Sequence, residues 1–220
     1  MVHLGDITKI DGRTEERKRG RDMKPILFNT EMVQAILEGR KTVTRRVVKP
    51  QPKDNNAFIY KHTDCGEWFI SPDDDNDPEI KVKPPYCPGD ILYVRETWCP
   101  QYSVEYPFVY RASVETPKAW AWRPSIHMPK EAARLFLRVK DVRVEKLQDI
   151  LIEDVYKEGW PEYLAPTDGE LRKMMEEFVA LWNSTIKPTD LALCGWDADP
   201  WVWVIEFEKV SKEEALQCST

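Results

Sequence analysis

The sequence predicts an α+β fold in which a mixed β-barrel of short strands carries flanking helices. Two observations favour it: strand-like segments are short and spread along the chain, and amphipathic helical segments lie between them. This arrangement fits a mixed barrel better than a doubly wound sheet, in which strands and helices alternate. With 220 residues, of which 42% are hydrophobic, the chain has enough apolar side chains for one domain with a core.

The first predicted elements are a strand at residues 26–28 and a helix directly after it. Asn29 or Thr30 can cap this helix, because their side chains accept hydrogen bonds from free backbone N–H groups. Hydrophobic residues at helical spacing predict the buried face, which comprises Met32, Val33, Ile36 and Leu37. Gly39 is expected to end the helix in a left-handed conformation, so the polar segment that follows starts on a sharp turn.

Residues 49–88 are predicted to form an elaborated surface insertion, because the region is rich in Pro, Asp and Asn. Asp73, Asp75 and Asp77 alternate as in a calcium-binding loop. However, Pro78 stands where such a loop requires glycine, and no glutamate follows at the last ligand position. We therefore interpret these aspartates as a solvated acidic loop.

The second half of the chain predicts a series of strands and two helices. The turn Pro88-Gly89-Asp90 introduces the first strand. The predicted strands are residues 91–95, 107–112, 134–146 and 201–210, and the predicted helices are residues 149–159 and 167–183. The longer helix is expected to point Leu171, Met174, Met175, Phe178, Leu181 and Trp182 inward. The last strand should place Trp201, Trp203, Ile205 and Phe207 on one face and Val202, Val204, Glu206 and Glu208 on the other.

Both ends of the chain are expected to lie outside the domain, which we place at residues 23–210. Residues 1–22 are polar and form either a basic arm for nucleic acid or a disordered or non-native extension upstream of Met23. The extension is favoured, because its own Asp and Glu cancel much of the positive charge. Residues 211–220 are predicted to be a C-terminal tail.

Composition restricts the classes of function. A net charge of −6 argues against a non-specific nucleic-acid coat, although it is compatible with a local basic cleft. No run approaches the ~20 apolar residues of a membrane span, and no secretory signal is evident, so we expect a cytoplasmic protein. Five cysteines form no C-x-x-C pair, which favours a reduced protein.

No metal and no organic cofactor are expected. His62, Cys65, Cys87 and Cys99 lack the spacing of a compact zinc site. A Ser-His-Asp triad would have to use His62 or His127, and we favour a structural role for His127.

Residues 39–46 form the densest polar motif, and together with three other segments they resemble the ASCH domain. The resemblance covers residues 23–210, extends to the larger ASCH proteins encoded by phages and prophages, and implies a PUA-like fold that binds RNA or modified bases. The matching segments are Gly39-Arg40-Lys41-Thr42-Val43-Thr44-Arg45, Pro88-Gly89-Asp90-Ile91-Leu92-Tyr93-Val94-Arg95-Glu96-Thr97-Trp98, residues 149–159 ending in Lys157-Glu158-Gly159, and Asp199-Pro200-Trp201-Val202-Trp203-Val204-Ile205-Glu206-Phe207.

A bacterial branch of this family hydrolyses N4-acetylcytidine to cytidine and acetate. By resemblance, its Lys, Thr and Glu correspond to Lys41, Thr44 and Glu158. This chain departs from that branch in its length, in the insertion and in the Arg45-Arg46 pair after the threonine. The resemblance thus implies an amidohydrolase for an N4-acylated cytidine.

The chemistry suits these residue types. Thr44 is a weak nucleophile until a base takes its proton, and Lys41 is a base only if its pKa falls well below its ordinary value. Glu158 could protonate the leaving amine or orient Lys41. The oxyanion needs backbone N–H groups or an arginine such as Arg40 or Arg95. Substrate-binding candidates are Arg40, Arg45, Arg46, Arg95 and Trp98.

Two other classes of function remain open at this stage. A non-catalytic module for single-stranded RNA or modified nucleotides would keep Lys41 charged and open to solvent. A protein-binding role would require a large exposed tryptophan patch away from residues 39–46. Base stacking and core packing both remain possible for Trp98, Trp120, Trp122 and Trp160. The sequence alone does not specify the acyl group, whether the substrate is a nucleoside or RNA, or the oligomeric state.

Overall fold

Ten β-strands and five α-helices make up the regular structure of residues 22–53, 57–63, 66–72, 78–101, 105, 107–115 and 121–217, which the computed structural model describes. The strands are β1 Lys24–Leu27, β2 Val43–Val47, β3 Phe58–Lys61, β4 Trp68–Ser71, β5 Ile80–Val82, β6 Ile91–Arg95, β7 Trp98–Pro100, β8 Phe108–Tyr110, β9 Phe136–Lys146 and β10 Trp201–Val210. The helices are α1 Thr30–Leu37, α2 Ile152–Lys157, α3 Asp168–Thr185, α4 Leu191–Cys194 and α5 Lys212–Gln217. The predicted α+β class is confirmed.

Several predictions concern residues outside the described ranges. These are the N-terminal extension up to residue 21 and the aspartates of the acidic loop. They also include Cys65, a candidate zinc ligand, Trp120, a candidate for base stacking, and Cys218, one of the five cysteines.

The largest sheet among the described residues is open and has five strands in the order β1-β6-β9-β10-β2. β1 and β6 pair in parallel, and the other neighbours are antiparallel. β10 pairs along its whole length with β9 and along half of it with β2. The register of β9 against β10 shifts between Glu206 and Phe207, and there Phe207 N–H donates to the carbonyl of Thr42 instead (2.9 Å). The sheet therefore fixes the segment that leads into β2.

The two faces of β10 pack against different layers, as the alternation predicted. Trp203, Ile205 and Phe207 are buried together with the α1 residues Val33 and Ile36. Val202 and Val204 face the other way, and their cluster includes buried residues of α2 and α3: Val155, Met174, Phe178 and Trp182. Each face thus removes apolar surface from water, which is the main driving force that holds the sheet between its helices.

Two regions are more ordered than predicted. Residues 49–88, expected to be a surface insertion, contain the antiparallel sheet β3-β4-β5. Ile59, Ile70 and Val82 of that sheet are buried in the main core, and Trp68 packs edge-on against Trp203 with ring centroids 5.3 Å apart. Residues 211–220, expected to be a tail, include α5, whose Ala215 is fully buried. No helix among the described residues is both long and apolar enough to span a bilayer.

The ends of α1 and α2 bring two polar segments together. The side chain of Asn29 caps α1 by accepting from Met32 N–H (2.8 Å), and Gly39 ends it at φ +80°. The backbone N–H groups of Arg40 and Lys41 both donate to the carbonyl of Ala35. Thr42 N–H donates to the carbonyl of Lys157, the last residue of α2 (2.8 Å). These bonds place the start of β2 against the C-terminal end of α2.

Gly159 makes this approach possible, which gives a stability prediction. Its φ is +114°, and an added Cβ would lie 2.8 Å from Cβ of Ala35 and 3.3 Å from Cβ of Lys41. Gly159→Ala should lower the free energy of unfolding by about 1–3 kcal/mol. Gly169→Ala is the control, because its Cβ would meet only Thr167 Oγ1, at 3.9 Å. Urea unfolding that gives equal stability for both variants would contradict the prediction.

Candidate functional site

Lys41 is buried with its ammonium group fully hydrogen-bonded. Its side chain is 0% exposed. Nζ donates to Oε2 of Glu158 (2.5 Å), to the backbone carbonyl of Glu158 (2.8 Å) and to the carbonyl of Val43 (2.8 Å). An ammonium group has three N–H donors, so these acceptors satisfy all of them. The structure therefore brings together Lys41 and Glu158, which are 117 positions apart in the sequence.

Arg45 holds the other oxygen of the Glu158 carboxylate. Its Nη1 donates to Oε1 of Glu158 (3.1 Å), while Nη2 lies 2.6 Å from Glu145 and 3.3 Å from Asp154. The Arg45 side chain is 1% exposed. A buried cation is tolerated only when carboxylates and hydrogen bonds compensate its lost hydration, and here three carboxylates do so. The Glu158 carboxylate is consequently fixed between two cations.

Thr44 lies beside this ion-pair network but contacts a different cation. Its Oγ1 accepts a hydrogen bond from Nη1 of Arg46 (2.6 Å), which also donates to the carbonyl of Arg45. Thr44 is buried, and its hydroxyl is not among the three acceptors of Lys41. The ring of Phe28 packs against both Lys41 and Arg46, at 5.6 Å and 5.7 Å from its centroid.

Burial changes the protonation chemistry of this site. It lowers the pKa of Lys41 below the ordinary 10.5, and the positive charges of Arg46 and Arg45 act in the same direction. The nearby Glu158 carboxylate opposes this shift by favouring the ammonium form. Burial also lowers the pKa of Arg46. Lys41 thus loses its proton more readily than a solvated lysine does.

Three adjoining cavities reach the site. The central cavity, about 40 Å³ in volume, is lined by Thr44, Arg46 and Glu158 among others. The Arg40 cavity, of about 390 Å³, shares Glu158 with it. The Lys49 cavity, of about 640 Å³, shares Arg46 with it. We refer to these three adjoining cavities, which share lining residues, as the groove; Thr44 and Glu158 line its central cavity.

The predicted binding residues divide into two groups. Arg40, Arg45 and Arg46 line the groove. Arg95 and Trp98 line none of its three cavities. Arg95 donates to the carbonyl of Ile126, and Trp98 is 5% exposed in a separate core cluster.

Several residues of the site escaped the sequence analysis. Trp160 lines the central and Arg40 cavities and packs edge-on against Phe178, with ring centroids 5.6 Å apart. From the sequence alone, base stacking and core packing were both open as roles for this residue. Phe28 carried no signal beyond its hydrophobicity. Asp154 is four residues before Glu158 on a predicted helix, a spacing that places the two on one face.

Nothing in the described part of the chain forms a metal centre. No three His, Cys, Asp or Glu side chains among those residues are grouped so that they could hold an ion. Of the cysteines described there, Cys99 and Cys194 are buried and Cys87 is exposed, each as a free thiol.

Comparisons with known proteins do not identify a family for this chain. No protein-family model matches the chain, and no curated protein matches it. Among solved structures, it is similar to protein EF3133 from Enterococcus faecalis V583, described under the family DUF984, with 11% identity and a TM-score of 0.43. The match covers 86% of this chain and 82% of that chain. At this level of similarity the two chains need not share a fold or a function.

The buried pair predicts strongly non-additive effects on stability. Glu158→Leu leaves the buried Lys41 ammonium without a carboxylate, so it should lower the free energy of unfolding by about 3–5 kcal/mol. Lys41→Met should cost less, because Glu158 keeps its ion pair with Arg45. The double variant should lose less than the sum of the two, because Arg45 retains Glu145 and Asp154. Urea unfolding of the four proteins measures this coupling. Costs that simply add would show that the pair is not an energetic unit.

Proposed function

We propose that this chain is an ASCH-type protein with a PUA-like barrel and that it hydrolyses the acyl amide of an N4-acylated cytidine. The observation that carries the proposal is the buried Lys41–Glu158 pair (2.5 Å), whose Glu158 lines the central cavity together with Thr44. The products are cytidine and a carboxylate. We place this activity in the cytoplasm, where nucleosides and RNA occur.

The burial of Lys41 favours catalysis over simple recognition. A lysine that only recognises a ligand keeps its charge and faces the solvent from which the ligand arrives. The Lys41 side chain is instead 0% exposed, and its pKa is lowered by burial. Strongly shifted pKa values of buried groups that adjoin a cleft are typical of catalytic acids and bases.

In the first half of the proposed reaction, Nζ of Lys41 without its proton accepts the hydroxyl proton of Thr44. Oγ1 then forms a bond with the acyl carbon, and the carbonyl electron pair moves to its oxygen. Nζ without its proton has two N–H groups and one lone pair, so it gives up one of its three present hydrogen bonds. Its lone pair then accepts from the hydroxyl of Thr44, which lies three residues along the same segment. Of the two arginines considered for the oxyanion, Arg40 lines the cavity that also contains Glu158, so we assign it that role.

In the second half, the amine leaves and water completes the cycle. The bond between the acyl carbon and N4 breaks as N4 takes a proton from the Lys41–Glu158 pair. A water molecule then attacks the acyl-threonine ester and gives its proton to the same pair. The bond between the acyl carbon and Oγ1 breaks, Oγ1 of Thr44 takes that proton back from the pair, and the acid departs and ionises to the carboxylate. Arg45 keeps Glu158 in position throughout, because it binds the oxygen that Lys41 does not (3.1 Å).

The groove also has the aromatic surface that a pyrimidine needs. Trp160 lines both the central and the Arg40 cavities, and Phe28 lines the Lys49 cavity. Neither Trp98 nor Arg95 lines these cavities, so we do not assign them to base recognition.

A non-catalytic module for RNA or modified nucleotides is the second candidate, and one observation favours it. All three N–H groups of Lys41 already have acceptors, and the Thr44 hydroxyl is not one of them. The protein-binding alternative has less support, because no tryptophan in the described part of the chain is more than partly exposed.

Hydrolysis of N4-acetylcytidine is the direct test. The wild type should release cytidine, measured by chromatography, while Lys41→Ala and Thr44→Ala should lose about 100-fold or more of kcat/KM. Thr44→Ser should keep part of the activity, since it retains a hydroxyl. Thr42→Ala is the matched control, because the contacts of Thr42 are made by its backbone. If folded wild-type protein releases no cytidine from a panel of acyl groups, the second candidate replaces the first.

The same mechanism predicts a pH dependence. Deprotonation of Lys41 activates the site, so kcat/KM should rise with pH through a midpoint below 10.5, the ordinary pKa of lysine. Glu158 raises the pKa of Lys41. The residual activity of Glu158→Gln should therefore rise at lower pH than that of the wild type. Stopped assays across the range in which both proteins stay folded check this. A midpoint that moves to higher pH in Glu158→Gln would exclude Lys41 as the base.

A further inference from the structure

The two larger cavities beside the central one differ in charge. The Arg40 cavity is lined by one cation and three carboxylates, which are Arg40, Glu31, Glu158 and Glu177. The Lys49 cavity is lined by three cations and by no carboxylate of the described residues; the cations are Arg45, Arg46 and Lys49. In a chain with a net charge of −6, this separation concentrates positive charge at one end of the groove.

Two of these three cations make no ion pair with a described carboxylate, although the charge of Glu158 acts on Arg46 from a greater distance. Arg45 is compensated by its three carboxylates. Among the described residues, neither Arg46 nor Lys49 has a carboxylate within 4.0 Å. Arg46 donates only to neutral oxygens, namely Oγ1 of Thr44 and the carbonyls of Arg45 and Leu27. Arg46 is half-buried without an ion pair, which is costly, so a bound anion would stabilise it; Lys49 is exposed and available to the same anion.

The free donors suit a phosphate group in particular. Nη1 of Arg46 makes two short bonds, but Nη2 makes one long bond (3.4 Å) and Nε makes none to the described residues. Two adjacent N–H groups of a guanidinium can bind two phosphate oxygens at once. Three residues with neutral hydroxyl groups also line this cavity: Thr97, Ser125 and Thr185.

We propose that the Lys49 cavity binds a phosphate group through Arg46 and Lys49, so that the substrate is a phosphorylated pyrimidine nucleotide or an RNA strand. This inference rests on the proposed function for the identity of the base, which occupies the central and Arg40 cavities. The phosphate site itself rests on the charges and donors of the Lys49 cavity. A free nucleoside leaves both cations uncompensated and is the poorer ligand.

The test compares product binding, which does not require turnover. Isothermal titration of the full chain with cytidine 5′-monophosphate and with cytidine should show that the nucleotide binds about tenfold or more tightly. Lys49→Ala and Arg46→Gln should each lose most of this preference. Lys212→Ala, an exposed lysine of α5 that lines none of the cavities, should keep it. Because Lys49 is exposed, its variant stays informative even if Arg46→Gln fails to fold.

Three results would overturn the proposal: equal affinity for nucleotide and nucleoside, no binding of either, or a preference that survives in both Lys49→Ala and Arg46→Gln. A short single-stranded RNA without terminal phosphates separates the two sources of phosphate. Tighter binding of this RNA than of the monophosphate identifies a phosphodiester, and the reverse identifies a nucleotide. A phosphate preference in a protein that hydrolyses no N4-acylated cytidine would sink the amidohydrolase proposal while leaving the phosphate site in place.

Discussion

The need to compensate buried charge governs the arrangement of this molecule around residues 39–46. Lys41 and Arg45 are almost wholly removed from water, and each would be severely destabilising without carboxylates at hydrogen-bonding distance. The carboxylates come from β9 and from α2, whereas both cations belong to the segment at the start of β2. A displacement of any one of these elements would therefore leave a charge without its partner, so the network acts as a geometric constraint on three parts of the chain.

The same network gives two neighbouring arginines different chemical roles. Arg45 is surrounded by carboxylates and serves to hold Glu158. Arg46, the next residue, points to the other side of the strand, as alternate residues of β2 do, and reaches Thr44 and the open groove. The alternation of a strand thus separates a structural cation from one that can meet a ligand.

Elements with strong local signals were predictable from the sequence. The last strand, the long helix, the Asn29 cap and the left-handed Gly39 agree with the structure, because periodicity and capping are properties of neighbouring residues. The small sheet of residues 58–82 was missed because its strands are only three or four residues long and lie in a region rich in Pro, Asp and Asn. Helix α5 was missed because it is only six residues long. Such short elements are stabilised mainly by contacts with distant parts of the chain. In the site, Lys41, Thr44 and Glu158 were named through a family resemblance. The other two counterions of Arg45, Glu145 and Asp154, were not, since they depend on spatial proximity across about a hundred residues.

The position of β10 in the sheet has a consequence for biosynthesis. β2 lies at the sheet edge with β10 as its neighbour, although the paired residues, such as Val47 and Val202, lie far apart along the chain. During synthesis, which proceeds from the N-terminus, β2 has no strand to pair with until residues 201–210 have left the ribosome. Such distant pairings form slowly, because a long loop must close before they contribute free energy. The groove around Thr44 therefore cannot be completed before β10 has been synthesised.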